Sequence, residues 1–113
     1  MRPSEVQTDA EQQLAIDRFF SGNTALYMAF RQSCLAQFPR DIEAFEQAEQ
    51  STDLAAMLRI THNLHAALTM LGCRVQRQHA RDTEMAASTG AMVTARWAWS
   101  ALREELLYLV KLG

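Results

Sequence analysis

The sequence predicts an all-α protein, an up-down four-helix bundle with one or two additional short helices at the N-terminal end. Apolar residues recur at steps of three and four from Leu54 to Leu71, a segment without proline or glycine, which indicates a helix with one buried stripe. Turn-forming residues divide the rest of the chain into segments of helical length. No segment alternates apolar and polar residues for long enough to indicate a strand.

Length and composition limit the organisation and the function of the chain. Its 113 residues, 49% of them hydrophobic, suit one domain with a sizeable core. We expect a flexible lead over residues 1–8 and the bundle over residues 9–113. A net charge of -2 argues against nucleic-acid binding, and no apolar run is long enough for membrane insertion. The polar N-terminus does not have the pattern of a signal peptide, so we expect a cytoplasmic protein.

The first helix is expected to begin with Asp9 as its N-cap and to end at Phe20. Gly22 suits the left-handed position after a helix, and Asn23 is a good N-cap for the next one. The apolar residues of the first helix are expected to lie across one end of the bundle: Leu14, Ile16, Phe19 and Phe20.

The second helical segment is expected to run from Asn23 to about Gln37 and to be broken by Pro39, which interrupts the backbone hydrogen-bond ladder. A further helix then covers residues 40–49, and Asp53 caps the central helix. Four apolar residues of the second segment share four-residue spacing: Leu26, Phe30, Cys34 and Phe38.

Gly72 ends the central helix, and two more helices are expected, over residues 73–87 and 91–112, with a turn at residues 88–90. The first of them has a thin and partly polar inward stripe, composed of Cys73, Gln76, Ala80, Thr83 and Ala87. The last helix has a strong one, composed of Met92, Ala95, Trp99, Leu102, Leu106 and Leu109.

His62 falls outside the apolar stripe of the central helix. At about 100° per residue it shares a polar or small-residue face with Arg59, His65, Ala66 and Thr69. The helix therefore presents an imidazole to solvent, and Ala66, one turn later, leaves room for an approaching protein. A neutral imidazole is a competent nucleophile toward a phosphoryl group.

The segment around His62 resembles the phosphoacceptor helix of histidine phosphotransfer (HPt) domains of two-component phosphorelays. The resemblance rests on a histidine followed by apolar, small and glycine residues at fixed steps, here His62, Leu64, Ala66, Leu71 and Gly72. It extends over about residues 10–112. The upstream residues that resemble the lead-in of the family are Phe20, Ser21, Gly22, Asn23, Leu26, Tyr27, Phe30, Pro39 and Ile42.

The resemblance implies that His62 accepts a phosphoryl group from the aspartyl phosphate of a receiver domain and passes it to another receiver. Arg59, His65, Ala66 and Thr69 are the expected supporting contacts. It implies no cofactor in this chain, because the Mg²⁺ ion belongs to the receiver. We expect a monomer, either free-standing or part of a hybrid sensor histidine kinase that is attached to a membrane elsewhere.

The chain departs from the family pattern at His65, where a lysine is usual. A histidine is only partly charged at neutral pH, whereas Arg59, one turn before His62, is always charged and is an alternative cation for the phosphoryl oxygens. We therefore expect His65→Lys to preserve or speed transfer. Two other readings stay open: a pseudo-HPt module that only docks other proteins, and an adaptor bundle with a coincidental motif.

His62 and His65 also form an H-x-x-H pair, which would bind zinc only with a further ligand such as Glu43 or Glu46. The two cysteines are expected to be reduced and packed as small apolar residues. Trp97 is expected to pack over the helix of residues 73–87, the alternative being an apolar docking or self-association patch. His79 is expected to be solvated or partly packed, and three glutamates are expected to lie on solvated helix faces: Glu84, Glu104 and Glu105.

Overall fold

The computed structural model describes residues 8–113, and these residues contain five α-helices. Residues 1–7 of the predicted flexible lead lie outside the described residues, whereas Thr8 caps the first helix. The helices are α1 (Asp9–Phe20), α2 (Thr24–Gln50), α3 (Leu54–Leu71), α4 (Arg74–Ser88) and α5 (Met92–Leu112).

Four of the helices form a closed ring. Helix α2 packs against α3 and α5, and α4 packs against the same two helices. Short connections join the helices in chain order, which is the arrangement of an up-down bundle. Helix α1 is the additional short helix, and it lies against α2 and α3. The predicted all-α bundle is therefore confirmed. Within residues 8–113, none of the helices is long and apolar enough to cross a membrane.

The predicted apolar stripe of α3 faces the core. Leu64 and Leu68 are fully buried, and the Thr61 hydroxyl, also buried, donates a hydrogen bond to the Met57 carbonyl at 2.8 Å. The buried Tyr27 hydroxyl of α2 donates to the carbonyl of Leu71 at 2.8 Å. This bond ties the last turn of α3, the helix that carries His62, to α2.

Cap chemistry sets the helix ends, with one difference from the prediction. Thr8, not Asp9, is the N-cap of α1, because Thr8 and Glu11 form a reciprocal capping box. Asn23 and Asp53 cap α2 and α3 as predicted. The three helices therefore begin with a side-chain oxygen that accepts a first-turn N–H.

The predicted break at Pro39 is wrong, because α2 is one continuous helix of 27 residues. Proline removes one backbone donor, but it leaves the rest of the ladder in place. Pro39 is exposed, and buried side chains on both sides of it form one stripe that packs on the bundle. The packing of Leu35, Phe38, Ile42 and Phe45 holds the helix together across the proline.

The predicted inward stripes of the two last helices face the core. All five residues of the thin α4 stripe are buried, including Gln76 and Thr83. On α5, Trp99 stacks on Phe45 with ring centroids 3.8 Å apart. The prediction that Trp97 packs over α4 is wrong, since 82% of this residue is exposed. Trp97 lies on the face of α5 opposite the stripe, and side chains on that face of a helix point away from the core.

Three apolar side chains near the start of the chain are more exposed than their spacing suggests. Ile16 and Phe20 of α1 are buried, but Leu14 is 63% exposed and Phe19 is 39% exposed. On α2 the buried stripe begins at Tyr27, and Leu26 is 53% exposed. Among residues 8–113, α1 packs mainly against α2 and α3, and its flanking apolar residues lie at the surface.

Candidate functional site

The side chain of His62 stands at the middle of α3, between two well-defined helix ends. The Asp53 carboxylate accepts the N–H of Ala56 at 3.1 Å at the N-terminal end. At the other end Gly72 takes the left-handed conformation, with φ 79°, and its N–H bonds back to the helix. A residue held two turns or more from either end has a rigid backbone, so the position of the ring is reproducible.

His62 is exposed, as predicted, and one edge of its ring is held by a carboxylate. The His62 side chain is 67% exposed, and its Nδ1 lies 2.7 Å from Oε2 of Glu84 on α4. The bond joins residues 22 positions apart in the sequence, across the packed pair of α3 and α4. It leaves the opposite edge of the ring, with Nε2, away from the carboxylate.

Glu84 contacts a second imidazole as well. The Nδ1 of His65 lies 3.3 Å from Oε1 of Glu84, so the two oxygens of one carboxylate each face one ring. The prediction that Glu84 is a solvated side chain is wrong, because only 20% of it is accessible. The short loop at Gly72 folds α4 back along α3, and this brings the glutamate beside the histidines.

The contact with Glu84 selects one tautomer of His62. A carboxylate only accepts hydrogen bonds, so the bonded Nδ1 carries the proton. In the neutral ring Nε2 then holds the free lone pair, which is the nucleophilic form. When Nε2 forms a new bond the ring becomes positively charged, and the same carboxylate stabilises that charge.

The other predicted site residues lie on the same helix face, with different surroundings. Arg59 and Ala66 are exposed on the turns before and after His62. Thr69 is half-buried, and its hydroxyl donates to the carbonyl of His65 at 2.8 Å. The Thr69 hydroxyl is therefore engaged with its own helix rather than with the ring of His62.

Glu43 and Glu46, the two side chains considered as further zinc ligands, are not the carboxylates that contact His62 and His65. Glu46 accepts a hydrogen bond from Arg103 at 2.9 Å, and Glu43 is exposed on α2. Within residues 8–113, no group of three or more histidine, cysteine, aspartate or glutamate side chains is arranged to hold a metal ion.

The thiols of the chain are not nucleophiles near neutral pH. Cys34 and Cys73 are both free and buried, as predicted for a reduced pair. Burial raises the pKa of each thiol to about 11. Since the thiolate is the reactive form, this burial disfavours both thiols as nucleophiles near neutral pH.

A second polar cluster lies between α4 and α5. Glu105 was predicted to be solvated, but it is 5% exposed and accepts a hydrogen bond from Nε2 of the buried Gln76 at 3.1 Å. Nε2 of His79, which is partly packed, lies 3.9 Å from the same carboxylate. Glu104, next in sequence to Glu105, is exposed as predicted. Position 105 adjoins the apolar stripe of α5, and for that reason it turns inward.

Sequence reasoning missed Glu84, although one signal for it exists. His62 lies 10 residues before Gly72 (72 − 62), and Glu84 lies 12 residues after it (84 − 72). In an antiparallel helix pair, residues at similar distances from the turn face each other.

Comparison with known protein families, with curated proteins and with solved structures finds no match to this chain.

Proposed function

We propose that this protein is a phosphorelay carrier, an HPt module that accepts a phosphoryl group on His62 and passes it to a second protein. The observation that carries the proposal is the pair of His62 and Glu84. An imidazole that is 67% exposed has one nitrogen bound to a carboxylate at 2.7 Å, which leaves the other nitrogen as the nucleophile. The small side chain of Ala66 beside it leaves a docking protein room to approach.

In the proposed transfer, Nε2 of His62 attacks phosphorus in line with the bond to the aspartyl oxygen of a docked receiver. The Nε2–P bond forms, the P–O bond breaks, and the electron pair returns to the aspartyl carboxylate. No proton has to move, because Nδ1 keeps its hydrogen. The ring gains one positive charge, which Glu84 balances, and the reverse reaction loads a second receiver.

The partners in this proposal are receiver domains, and the Mg²⁺ ion that assists transfer belongs to them. The chain itself contributes position and charge. His65 shares Glu84 with His62, and Arg59, a permanent cation, stands one turn earlier, so both side chains are placed to contact oxygens of the transferred group. The proposed place of action is the cytoplasm, either as a free monomer or as part of a hybrid sensor kinase.

Transfer from a set of receiver domains that carry labelled aspartyl phosphate tests the proposal. Wild-type protein should acquire label that is lost in acid and kept in base, which is the behaviour of a phosphoramidate. His62→Gln should acquire none, and His79→Gln serves as the matched control because His79 lies away from the site and should leave labelling unchanged.

Two other outcomes would favour different functions. Receiver binding without label on any variant would favour a pseudo-HPt docking module. Absence of both binding and label would favour an adaptor bundle. Label that persists in His62→Gln would overturn the assignment of the phosphoacceptor.

A further inference from the structure

The outer face of α5, which is turned away from the bundle, carries large apolar side chains. Trp97 is 82% exposed, and Val93, one turn earlier, is 80% exposed. Leu107 lies farther along the same face and is 41% exposed. Single exposed apolar residues are common on protein surfaces, whereas an exposed tryptophan with apolar neighbours along one helix face is typical of a protein–protein interface.

The exposed positions of this face recur at alternating steps of four and three residues. All six are accessible, and together they form the outer seam of α5: Val93, Trp97, Ser100, Glu104, Leu107 and Lys111. This spacing is that of the contact line between two helices in a coiled coil. The buried stripe lies on the other side of the helix. Helix α5 therefore has two faces with packing periodicity, and the bundle fills only one of them.

The charges on and beside the outer seam balance. Arg96 and Arg103 flank the seam, and each forms an ion pair with a glutamate of α2, at 3.3 Å and 2.9 Å. The seam itself has one negative charge, on Glu104, and one positive charge, on Lys111. A second copy of the same face therefore meets no net repulsion.

An antiparallel arrangement of two copies matches the outer seam with itself. Trp97 of each copy then faces Leu107 of the other, which joins two apolar side chains. Between these two contacts, Ser100 of each copy faces Glu104 of the other, and a serine hydroxyl is a donor for a carboxylate. The antiparallel match thus joins apolar to apolar and donor to acceptor.

The ends of the seam also favour the antiparallel arrangement over the parallel one. Val93 of one copy faces Lys111 of the other, whose methylene stem is apolar enough to cover it. In a parallel pair, Glu104 would face Glu104 and Lys111 would face Lys111, so like charges would meet. Charge complementarity therefore selects the antiparallel orientation.

The length of the seam limits the strength of the association. From Val93 to Lys111 the helix rises about 27 Å. Two copies packed along this length bury on the order of 1,000 Å² in total, of which the two tryptophans supply about 300 to 500 Å². A stable interface needs about 1,200 Å² or more, so the free monomer predominates in dilute solution.

We propose that the outer seam of α5 is a homodimer interface, in which two copies of this chain pair antiparallel and Trp97 of each packs on Leu107 of the other. Helix α5 packs against α2 and α4 and lies diagonally across the ring from α3. The dimer therefore leaves His62 of both copies accessible. The inference does not depend on the proposed function, because it concerns a different face of the bundle.

Sedimentation equilibrium over a range of protein concentrations tests the interface. The average mass of wild-type protein should rise from the monomer toward the dimer with a dissociation constant on the order of 100 µM. Trp97→Gln should raise this constant by about tenfold or more. Leu26→Gln, at a 53% exposed leucine of α2, is the matched control and should not change it. Circular dichroism verifies that each variant is folded. Wild-type protein that stays monomeric at about ten times that constant, or Trp97→Gln that dimerises like wild type, would overturn the proposal.

Two substitutions at one position test the orientation. In the antiparallel dimer Val93 faces Lys111 of the other copy, so Val93→Glu gains two ion pairs and Val93→Lys gains two repulsions. We expect Val93→Lys to dimerise at least about fivefold more weakly than Val93→Glu, and added salt should narrow the difference. In a parallel dimer residue 93 would face its own copy, so both variants would weaken the dimer equally. Equal weakening would overturn the antiparallel pairing.

Discussion

The Nδ1 atom of His62 lies 2.7 Å from Oε2 of Glu84, and the other oxygen of this carboxylate lies 3.3 Å from Nδ1 of His65. One glutamate of α4 thus orients two imidazoles of α3. The arrangement gives His62 a defined tautomer, and in the proposed transfer it would give the phosphorylated ring a counter-charge. Its consequences can be measured without knowing the partner protein.

Replacement of Glu84 should slow the chemistry at His62. We expect Glu84→Ala to lower the rate of phosphorylation by phosphoramidate by about tenfold or more, because the ring loses both its orientation and its counter-charge. Glu84→Gln keeps a hydrogen-bond acceptor, so its rate of phosphorylation should fall less than that of Glu84→Ala. Glu104→Ala, an exposed glutamate of α5, is the control. A wild-type rate for Glu84→Ala, measured by the loss of unmodified protein in a mass spectrum, would remove Glu84 from the mechanism.

His65→Lys should transfer phosphoryl groups at least as fast as wild-type protein. The lysine keeps a full charge at neutral pH and can face both Glu84 and the phosphoryl oxygens. Asn63→Lys adds the same charge at an exposed position on a different face of α3, and it should have little effect. Initial rates of transfer from a phosphorylated receiver provide the comparison. A sharp loss in His65→Lys would assign His65 a role that a permanent cation does not replace.

Pro39→Ala should stabilise the protein, because the structure continues α2 through this exposed position. Alanine supplies the missing N–H and a much better helix propensity, and the gain is partly offset by greater freedom of the unfolded chain. We expect the free energy of unfolding in urea to rise by about 1 to 2 kcal/mol. Gln37→Ala, an exposed position without a missing donor, should change it little. Lower stability of Pro39→Ala would show that the proline fits a bend that the helix needs.

Gln76→Leu should destabilise the bundle by about 1 to 3 kcal/mol, because the buried Glu105 then has one donor fewer. The double variant Gln76→Leu with Glu105→Leu should recover much of the loss, since two apolar side chains can pack where the polar pair stood. The exposed pair of Gln78 and Asp82 is the control, and Gln78→Leu should change the free energy of unfolding little. Thermal or urea unfolding of the variants at positions 76 and 105 forms a double-mutant cycle. If the two substitutions change the free energy of unfolding additively, Gln76 and Glu105 are not coupled.

The bundle was predictable from the sequence because its helix ends and apolar stripes are local signals. Asn23, Asp53 and Gly72 act within one turn of their own position, and each has the role that its residue type favours. The prediction that the thin stripe of α4 is buried is also correct, although two of its residues are polar. Pro39 was misread because packing of distant residues overrides its local preference.

The chemistry around His62 was only half predictable. Exposure of the ring follows from the helix period, so the sequence alone places position 62 outside the core. The partnership with Glu84 depends on how α4 lies along α3, and helix periodicity does not specify that alignment. The predictions for Glu105 and Trp97 were wrong for the same reason. Whether each side chain is buried depends on where the neighbouring helices lie, and helix periodicity does not specify that.

The most direct measurement is the ³¹P and ¹⁵N spectrum of the protein after reaction with a phosphorylated receiver. We expect one phosphoryl group per chain, attached to Nε2 of His62, with the proton retained on Nδ1. Phosphorus coupled to Nδ1 of that ring, or attached to a different residue, would contradict the assignment of Nε2 of His62 as the phosphoacceptor.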